Sequence, residues 1–332
     1  MLEYILRRTL QIIPLIVIIS VISFGIIELP PGDFVTMRII ELEQTGTRVD
    51  EEEIARLTEQ YGLDKTLVER YALWAWNIIS RGHLGRSFQW EQPVTQVIGE
   101  RIALTMSISL MTLVFIWIVA IPIGIYAATH QYSLGDYIFT FFGFIGISVP
   151  GFLLALVVMY LAFTQLGISV TGLFSPEYAD APWSFARLMD MLPRLWVPIV
   201  VIGLTGTASL IRVMRSMLLD ELRKQYVVTA RAKGVAERTL LFKYPVRIAI
   251  NPLISTIGWL LPFIVSGEAL VSIVLNLPTT GPVLLRALLF QDMYLAGSLV
   301  MILSILTVVG TLISDLLLAW VDPRIRYQGA TK

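Results

Sequence analysis

Six long apolar blocks, set between charged stretches, decide what this chain can fold into. They run Thr9–Leu29, Ala103–Ala128, Tyr137–Thr164, Trp196–Val213, Ile248–Leu275 and Tyr294–Trp320. A bilayer core about 30 Å thick takes roughly 20 mostly apolar residues in a helix. Inside lipid, only helices and closed barrels satisfy every backbone N–H and C=O. Apolar residues make up 56% of the 332-residue chain, against about 45–50% in a soluble domain. The fold class that follows is an all-α polytopic membrane protein with about six transmembrane helices. Pro122, Pro150, Pro198 and Pro262 fall inside the blocks, which is tolerated where neighbouring helices satisfy the freed carbonyls.

The first block follows Arg7 and Arg8, as the core of a secretory signal would. Its apolar run is longer than the roughly 7–15 residues of a signal core, and no small-residue cleavage site follows. It is therefore expected to remain as a span. Six spans put both termini on one side. Met214–Arg247 carries eight basic residues (Arg215, Arg223, Lys224, Arg231, Lys233, Arg238, Lys243 and Arg247) against the acids Asp220, Glu221 and Glu237. The tail adds Arg324, Arg326 and Lys332, while the short opposite loops hold only Arg187, Arg194 and Arg286. This asymmetry places both termini, Thr129–Asp136 and Met214–Arg247 in the cytoplasm of a multi-pass inner-membrane protein.

Residues 30–102 form a long external insertion, with twelve acids against eight bases. Asp50 and Glu51–Glu53 suit the first turn of a helix, where they favour the dipole. Ile54, Leu57, Tyr61 and Leu63 follow at near-helical spacing, and Leu67–Ile79 reads as a second helical stretch. Such a segment serves as a helical cap on the membrane domain, as a docking surface for a solute-binding protein, or as both.

The chain shows no catalytic constellation. It has no cysteine, so disulfides and thiolate chemistry are excluded. Its two histidines, His83 and His130, are far apart, and no metal-ligand spacing links them. There is no GxxxxGK[ST] loop to cradle nucleotide phosphates, so any ATP and its magnesium are bound by another chain. A net charge of zero gives no pull toward nucleic acid. The functional candidates are instead carboxylates within apolar blocks, which are costly in lipid. Glu268 lies in the fifth block, with Ser272 one turn further on, and reads either as a pathway or gate contact or as the partner of a group on another helix. Asp315 lies near the cytoplasmic end of the sixth block and is expected to pair with a tail arginine. Arg212, at a cytoplasmic end, is expected to snorkel.

The cytoplasmic loop is the most informative segment. From Glu221 it reads ELRKQYVVTARAKGVAERTLLFKYPVRIAINPL. Glu221–Lys233 is rich in helix formers, Gly234 suits a helix C-terminus, and Val235 begins a second helical stretch. Ala230 and Ala232 are small enough for the elbow to sit close against another surface. On residue chemistry alone, a basic hairpin that merely joins two spans fits as well.

That loop resembles the EAA-type loop of binding-protein-dependent ABC transporter permeases, and the TARAKG core at residues 229–234 is similar to the dipeptide/oligopeptide (peptide/nickel) subfamily. The leading acid of the wider pattern is replaced here by Val228 and its first alanine by Thr229. Further segments resemble the first (B-type) permease subunit in order and spacing: the N-terminal MLEYILRRTLQIIPLIVIISVISF, LPPGD at 29–33, YGLDKTLVERYALWAWN, HLGRSFQWEQPV, GPVLLRALLFQDMYLAG and SDLLLAWVDPRIRY. The fifth block departs from the pattern, because Ser272 stands where an acid is common and Glu268 lies one turn earlier.

The resemblance implies a type I ABC importer permease fold, a single transmembrane domain over 1–332 that forms half of a translocation pathway by alternating access. It implies a homologous second permease subunit, two ATPase subunits that bind ATP and magnesium, and an extracytoplasmic solute-binding protein. Thr229, Ala230, Arg231, Ala232, Lys233, Gly234 and Val235 would form the ATPase-coupling loop. The implied cargo is short peptides, with oligosaccharides or nickel and other metal chelates as alternatives. A membrane enzyme would need a catalytic constellation. A self-contained channel or secondary transporter would not need such a loop.

Overall fold

The computed structural model describes residues 2–28 and 65–321. Asp50–Glu53 and the spaced apolar residues up to Leu63 lie outside them, as do the tail basics Arg324, Arg326 and Lys332. Within the described residues the chain is helical: α1 Leu2–Glu28, α2 Leu67–Arg81, α3 Val94–Thr129, α4 Leu134–Ser148, α5 Gly151–Leu166, α6 Phe185–Met191, α7 Trp196–Leu222, α8 Gln225–Ala232, α9 Glu237–Lys243, α10 Pro245–Ala249, α11 Asn251–Val274, α12 Thr280–Leu289 and α13 Met293–Val321. The β structure among them is a lone antiparallel bridge between Arg86 and Pro93.

A helix stands at each of the six expected spans. Four of them, at Arg8–Ile26, Val94–Thr129, Trp196–Leu222 and Met293–Leu317, are long and apolar enough to cross a bilayer, and α4 with α5 makes a fifth if the pair is one span. The expected fifth block holds α11, an unbroken helix of 24 residues. At 1.5 Å per residue that is about 36 Å long.

The third expected span needs correction. It is not one helix but two, bent by 108°. The break falls at Val149-Pro150, where Pro150 takes the N-cap position of α5. Proline disfavours helical geometry in the residue before it and cannot donate to the carbonyl four residues back. That carbonyl belongs to Gly146, and the Thr205 hydroxyl donates to it at 2.7 Å. A neighbouring helix thus satisfies the group that the proline orphans.

The described chain divides into two compact units, Met1–Arg8 with Leu104–Gly281 and Thr307–Lys332, and Thr9–Ala103 with Pro282–Leu306. In the first, α7 is the hub. It packs against α4, α5, α10 and α11, and its Val197, Val201, Leu210, Met214 and Leu218 enter the core. Small residues let backbones approach, as membrane helices require in the absence of a hydrophobic drive between them. A methyl group on Gly146 would come within 2.9 Å of Leu204 Cγ and 3.2 Å of its carbonyl oxygen.

Contacts down α7 set the direction of the broken span. Asp136 at the start of α4 meets Arg215, with Nη2–Oδ2 2.9 Å and Nε–Oδ1 3.2 Å. Gly146, near the end of α4, meets Leu204 and Thr205. Beyond α5, the Gly172 N–H donates to Leu275 O at 2.8 Å, at the end of α11 remote from the 223–250 loop. The α4–α5 pair therefore begins level with the loop end of α7 and finishes at the far end of the unit. Arg212 lies 5.8 Å from the Phe144 ring centroid, a cation–π contact. Asp315 pairs with Arg8, at 3.5 Å; the tail arginines expected to meet it lie outside the described residues.

In the second unit Phe24, Trp74, Leu84, Val97, Ile98, Ala287, Leu295 and Leu299 form a separate core. Thr66 and Glu69 close a capping box at the start of α2, and Gly82 ends the helix in the left-handed conformation. Asp292 accepts from the Ser87 hydroxyl, the Gln89 N–H at 3.1 Å and the Leu295 N–H at 3.3 Å. One buried carboxylate so caps α13 and holds the segment that follows α2.

Candidate functional site

The expected elbow between α7 and α11 is present, with its internal breaks placed differently. Glu221–Lys233 is not continuous, because α7 ends at Leu222 and α8 starts at Gln225. Lys224 takes extended backbone as the N-cap of α8, with no side-chain cap bond. The second stretch begins at Glu237 and breaks again at Tyr244, ahead of Pro245. Pro245 explains the second break. No turn-forming residue marks the first, which the helix-forming composition concealed.

Gly234 stands at φ +76°. Its N–H donates to Arg231 O at 3.0 Å, and the Val235 N–H donates to Ala230 O at 3.3 Å. This pair of bonds is the Schellman closure of a helix, which places the residue after the cap in the left-handed region where glycine has no Cβ penalty. Across the turn the Arg231 guanidinium grips the Glu237 carboxylate, with Nε–Oε2 3.1 Å and Nη2–Oε1 2.5 Å. The pair raises the affinity of Arg231 for its proton and holds Glu237 below the ordinary carboxylate range, chiefly through that hydrogen bond. Both side chains are solvated, so the pair steers the turn more than it stabilises it.

Burial divides the elbow into an anchored side and an open side. Val227 and Leu240 are fully buried, as are Val246 and Ala249. Tyr226 donates its hydroxyl to Glu221 at 2.6 Å. Thr229, Arg231, Ala232, Lys233 and Gly234 are exposed, and Ala230 and Val235 partly so. Small and basic groups are thus presented outward from a buried base.

Glu268 and Ser272 lie one turn apart on α11, and both are 0% exposed. The Glu268 carboxylate faces the Thr279 and Ser272 hydroxyls, but neither of its oxygens, nor Thr279 Oγ1, makes a well-formed hydrogen bond among the described residues. The Ser272 hydroxyl donates back to Ala269 O at 3.0 Å. Residues 276–281 fold onto this end of α11, with the Leu277 N–H donating to Ser272 O at 2.8 Å. Gly281 permits that approach, since a Cβ there would sit 2.7 Å from Ala269 Cα. Thr105 reaches the same segment, accepting from the Thr280 N–H at 3.1 Å. The structure thus sets the Glu268 carboxylate among hydroxyl-bearing side chains in the interior of this chain, not on an open wall. Thr105 and Thr279 are not marked in the sequence, because a threonine in an apolar block and one in a short connecting segment carry no pattern.

His83 accepts from the Gly85 N–H through Nδ1 at 3.1 Å, and His130 stacks on Tyr126 with ring centroids 4.6 Å apart. No group of three or more metal-ligating side chains occurs among the described residues.

Comparison with known proteins agrees along the chain. The family described as binding-protein-dependent transport system inner membrane component matches residues 120–327, and its N-terminal companion matches residues 1–109. The oligopeptide transport system permease protein AppB of Bacillus subtilis is 32% identical, over 98% of this chain and 100% of its own. The dipeptide transport system permease protein DppB of Alkalihalophilus pseudofirmus is 27% identical, over 98% of this chain and 100% of its own. The inner membrane ABC transporter permease protein YejB of Escherichia coli O157:H7 is 29% identical, over 98% and 99%.

Proposed function

The chain belongs to the family of binding-protein-dependent transport system inner membrane components, and on that premise we propose that it is the permease subunit of an ATP-driven importer whose cargo is short peptides. Full-length similarity to permeases named for oligopeptide and dipeptide transport carries this reading. The chain supplies half of the pathway and a homologous second permease supplies the other half. Two ATPase subunits bind ATP and magnesium on the cytoplasmic side, where both termini lie, and a solute-binding protein delivers cargo from outside. The mechanism is alternating access, in which differential contacts in two states bias the helices. Residues 229–235 seat against an ATPase subunit. Support for this role comes from the exposed small and basic face of the elbow and from its anchoring through Val227 and Leu240. Motion imposed there passes directly into α7, the hub of its unit.

The four-chain complex, co-expressed with its binding protein and reconstituted in liposomes, tests the reading. ATP-dependent uptake of labelled tri- to hexapeptides is expected. Uptake of oligosaccharide or nickel chelate in place of peptide overturns the cargo, and failure to assemble with ATPase chains overturns the machine. Glu268 and Ser272 are the proposed pathway or gate contacts, since a carboxylate buried in a membrane helix without a charged partner is retained at a cost. The Glu268→Gln complex is expected to assemble and to lose at least half of its uptake rate. Uptake equal to wild type removes Glu268 from the pathway.

A further inference from the structure

Helix α2 has two apolar faces, and only one is covered. Tyr71, Trp74, Ala75 and Ile78 pack into the core of the second unit. Val68, Ala72, Trp76 and Ile79 form a second stripe at i, i+4, i+8 and i+11, one continuous line on a helix. That stripe faces outward, with Val68 77%, Trp76 65% and Ile79 80% exposed. Helices of water-soluble caps turn polar residues to that side. Here Glu69, Asn77 and Ser80 occupy only the remaining arc.

The contacts of α2 with α1 fix its height in the bilayer. Arg70 pairs with Glu28 at 2.7 Å, at the end of α1. Phe24 meets Tyr71 and Trp74, with ring centroids 5.5 and 5.7 Å apart. The hydroxyls of Ser20 and Tyr71 are 2.8 Å apart. The membrane-crossing stretch of α1 is Arg8–Ile26, so Ser20 lies six residues inside its end, about 9 Å deep at 1.5 Å per residue. A helix whose Tyr71 reaches that depth is not held up in solvent. It lies where amphipathic helices bury an apolar face about 5–10 Å into the headgroup and acyl boundary.

We infer that α2 is an interfacial helix whose Val68–Ala72–Trp76–Ile79 stripe lies on the lipid of the outer leaflet, so that the external insertion is anchored to the membrane beside the first span. Trp76 is placed as an interfacial tryptophan, its ring among acyl chains and its N–H toward water. The occupant is lipid because Tyr71 and Trp74 hold α2 against Ser20 and Phe24 of α1, a spanning helix whose own Val17, Ile18, Val21 and Ile22 also face outward. The inference needs only the membrane placement of α1 and holds whatever the cargo.

The chain has no cysteine, so single cysteines report without background. Val68→Cys, Trp76→Cys, Ile79→Cys and, as controls, Glu69→Cys and Ser80→Cys are introduced into the full complex. Each is labelled with bimane and reconstituted with phosphatidylethanolamine and phosphatidylglycerol bearing a shallow nitroxide. Labels at 68, 76 and 79 are expected to be quenched at least twofold more than those at 69 and 80, with or without binding protein. Three results overturn the inference: equal quenching at all five sites, protection at 76 and 79 that appears only with binding protein, or a water-inaccessible, unquenched stripe. The second makes it a protein-docking face. The third makes it a seat for the second permease chain or for residues 29–64. Transport activity of each labelled complex, measured in parallel, separates failure of this inference from failure of the functional reading.

Discussion

Gly234 stands at φ +76° and, beyond its two chain neighbours, no atom lies within 4 Å of where a Cβ would be. The constraint on this position is therefore conformational and not a lack of room within the chain. An L-residue in the left-handed region loses about 1–2 kcal/mol, and asparagine bears that conformation better than a β-branched residue. Gly234→Val is expected to reopen the Schellman turn and to cut transport-linked ATP hydrolysis severalfold, while Gly234→Asn stays near wild type. Equal loss in both would place the constraint in close contact with the ATPase subunit, where any side chain is in the way.

Among the elements, the broken span depends on one hydroxyl. Thr205 supplies the hydrogen bond that Pro150 cannot give to Gly146 O. Losing a partner for a buried carbonyl costs about 1–3 kcal/mol. Thr205→Val, which keeps the shape, is expected to lower the stability of the detergent-solubilised protein by that order, read as a fall in Tm, and Thr205→Ser to recover most of it. Outside the membrane, the segment between α5 and α7 is pinned by Asp190, which accepts from the Ser175 N–H and hydroxyl at 2.7 Å each. Those bonds hold the Asp190 carboxyl below its usual value of 3.8, with Arg194 adding a smaller pull. A carboxylate depressed in the folded state stabilises above its unfolded value and loses that contribution as pH falls through its folded value. The segment is thus expected to open to pepsin only below about pH 3.8. In Ser175→Ala, where less is depressed, opening begins at a higher pH.

At the scale of the whole molecule, topology turns on whether α4 and α5 together cross the bilayer once. The contacts at Arg215, at Leu204 and at Leu275 follow one another from the loop end of the first unit to its far end, as one broken crossing requires. A re-entrant pair would return residues 167–195 to the cytoplasmic side. In the cysteine-free background, Tyr132→Cys is expected to react with an impermeant maleimide only from inside, and Glu177→Cys only from outside. Labelling of both from one side would make the pair re-entrant and reverse the sidedness of every segment on one side of it.

Hydropathy, local basic charge and residue order determined a good deal unaided. They marked a helix at each of six places, an elbow with glycine at its corner, and a family resemblance that the full-length matches bear out. These features are local: an apolar run long enough for a bilayer, or a glycine where the chain turns left-handed, is written in consecutive residues. Tertiary structure decided the rest. It bent the third block at Pro150, where α7 offers Thr205 to the carbonyl that the proline orphans. It cut the elbow at Arg223-Lys224, paired Asp315 with Arg8, and folded Thr279 over the buried Glu268. It also divided the apolar faces of α2 into one packed against Phe24 and one left open. A side chain's partner across the fold depends on which helices meet and at what height, and no run of neighbouring residues encodes that by itself.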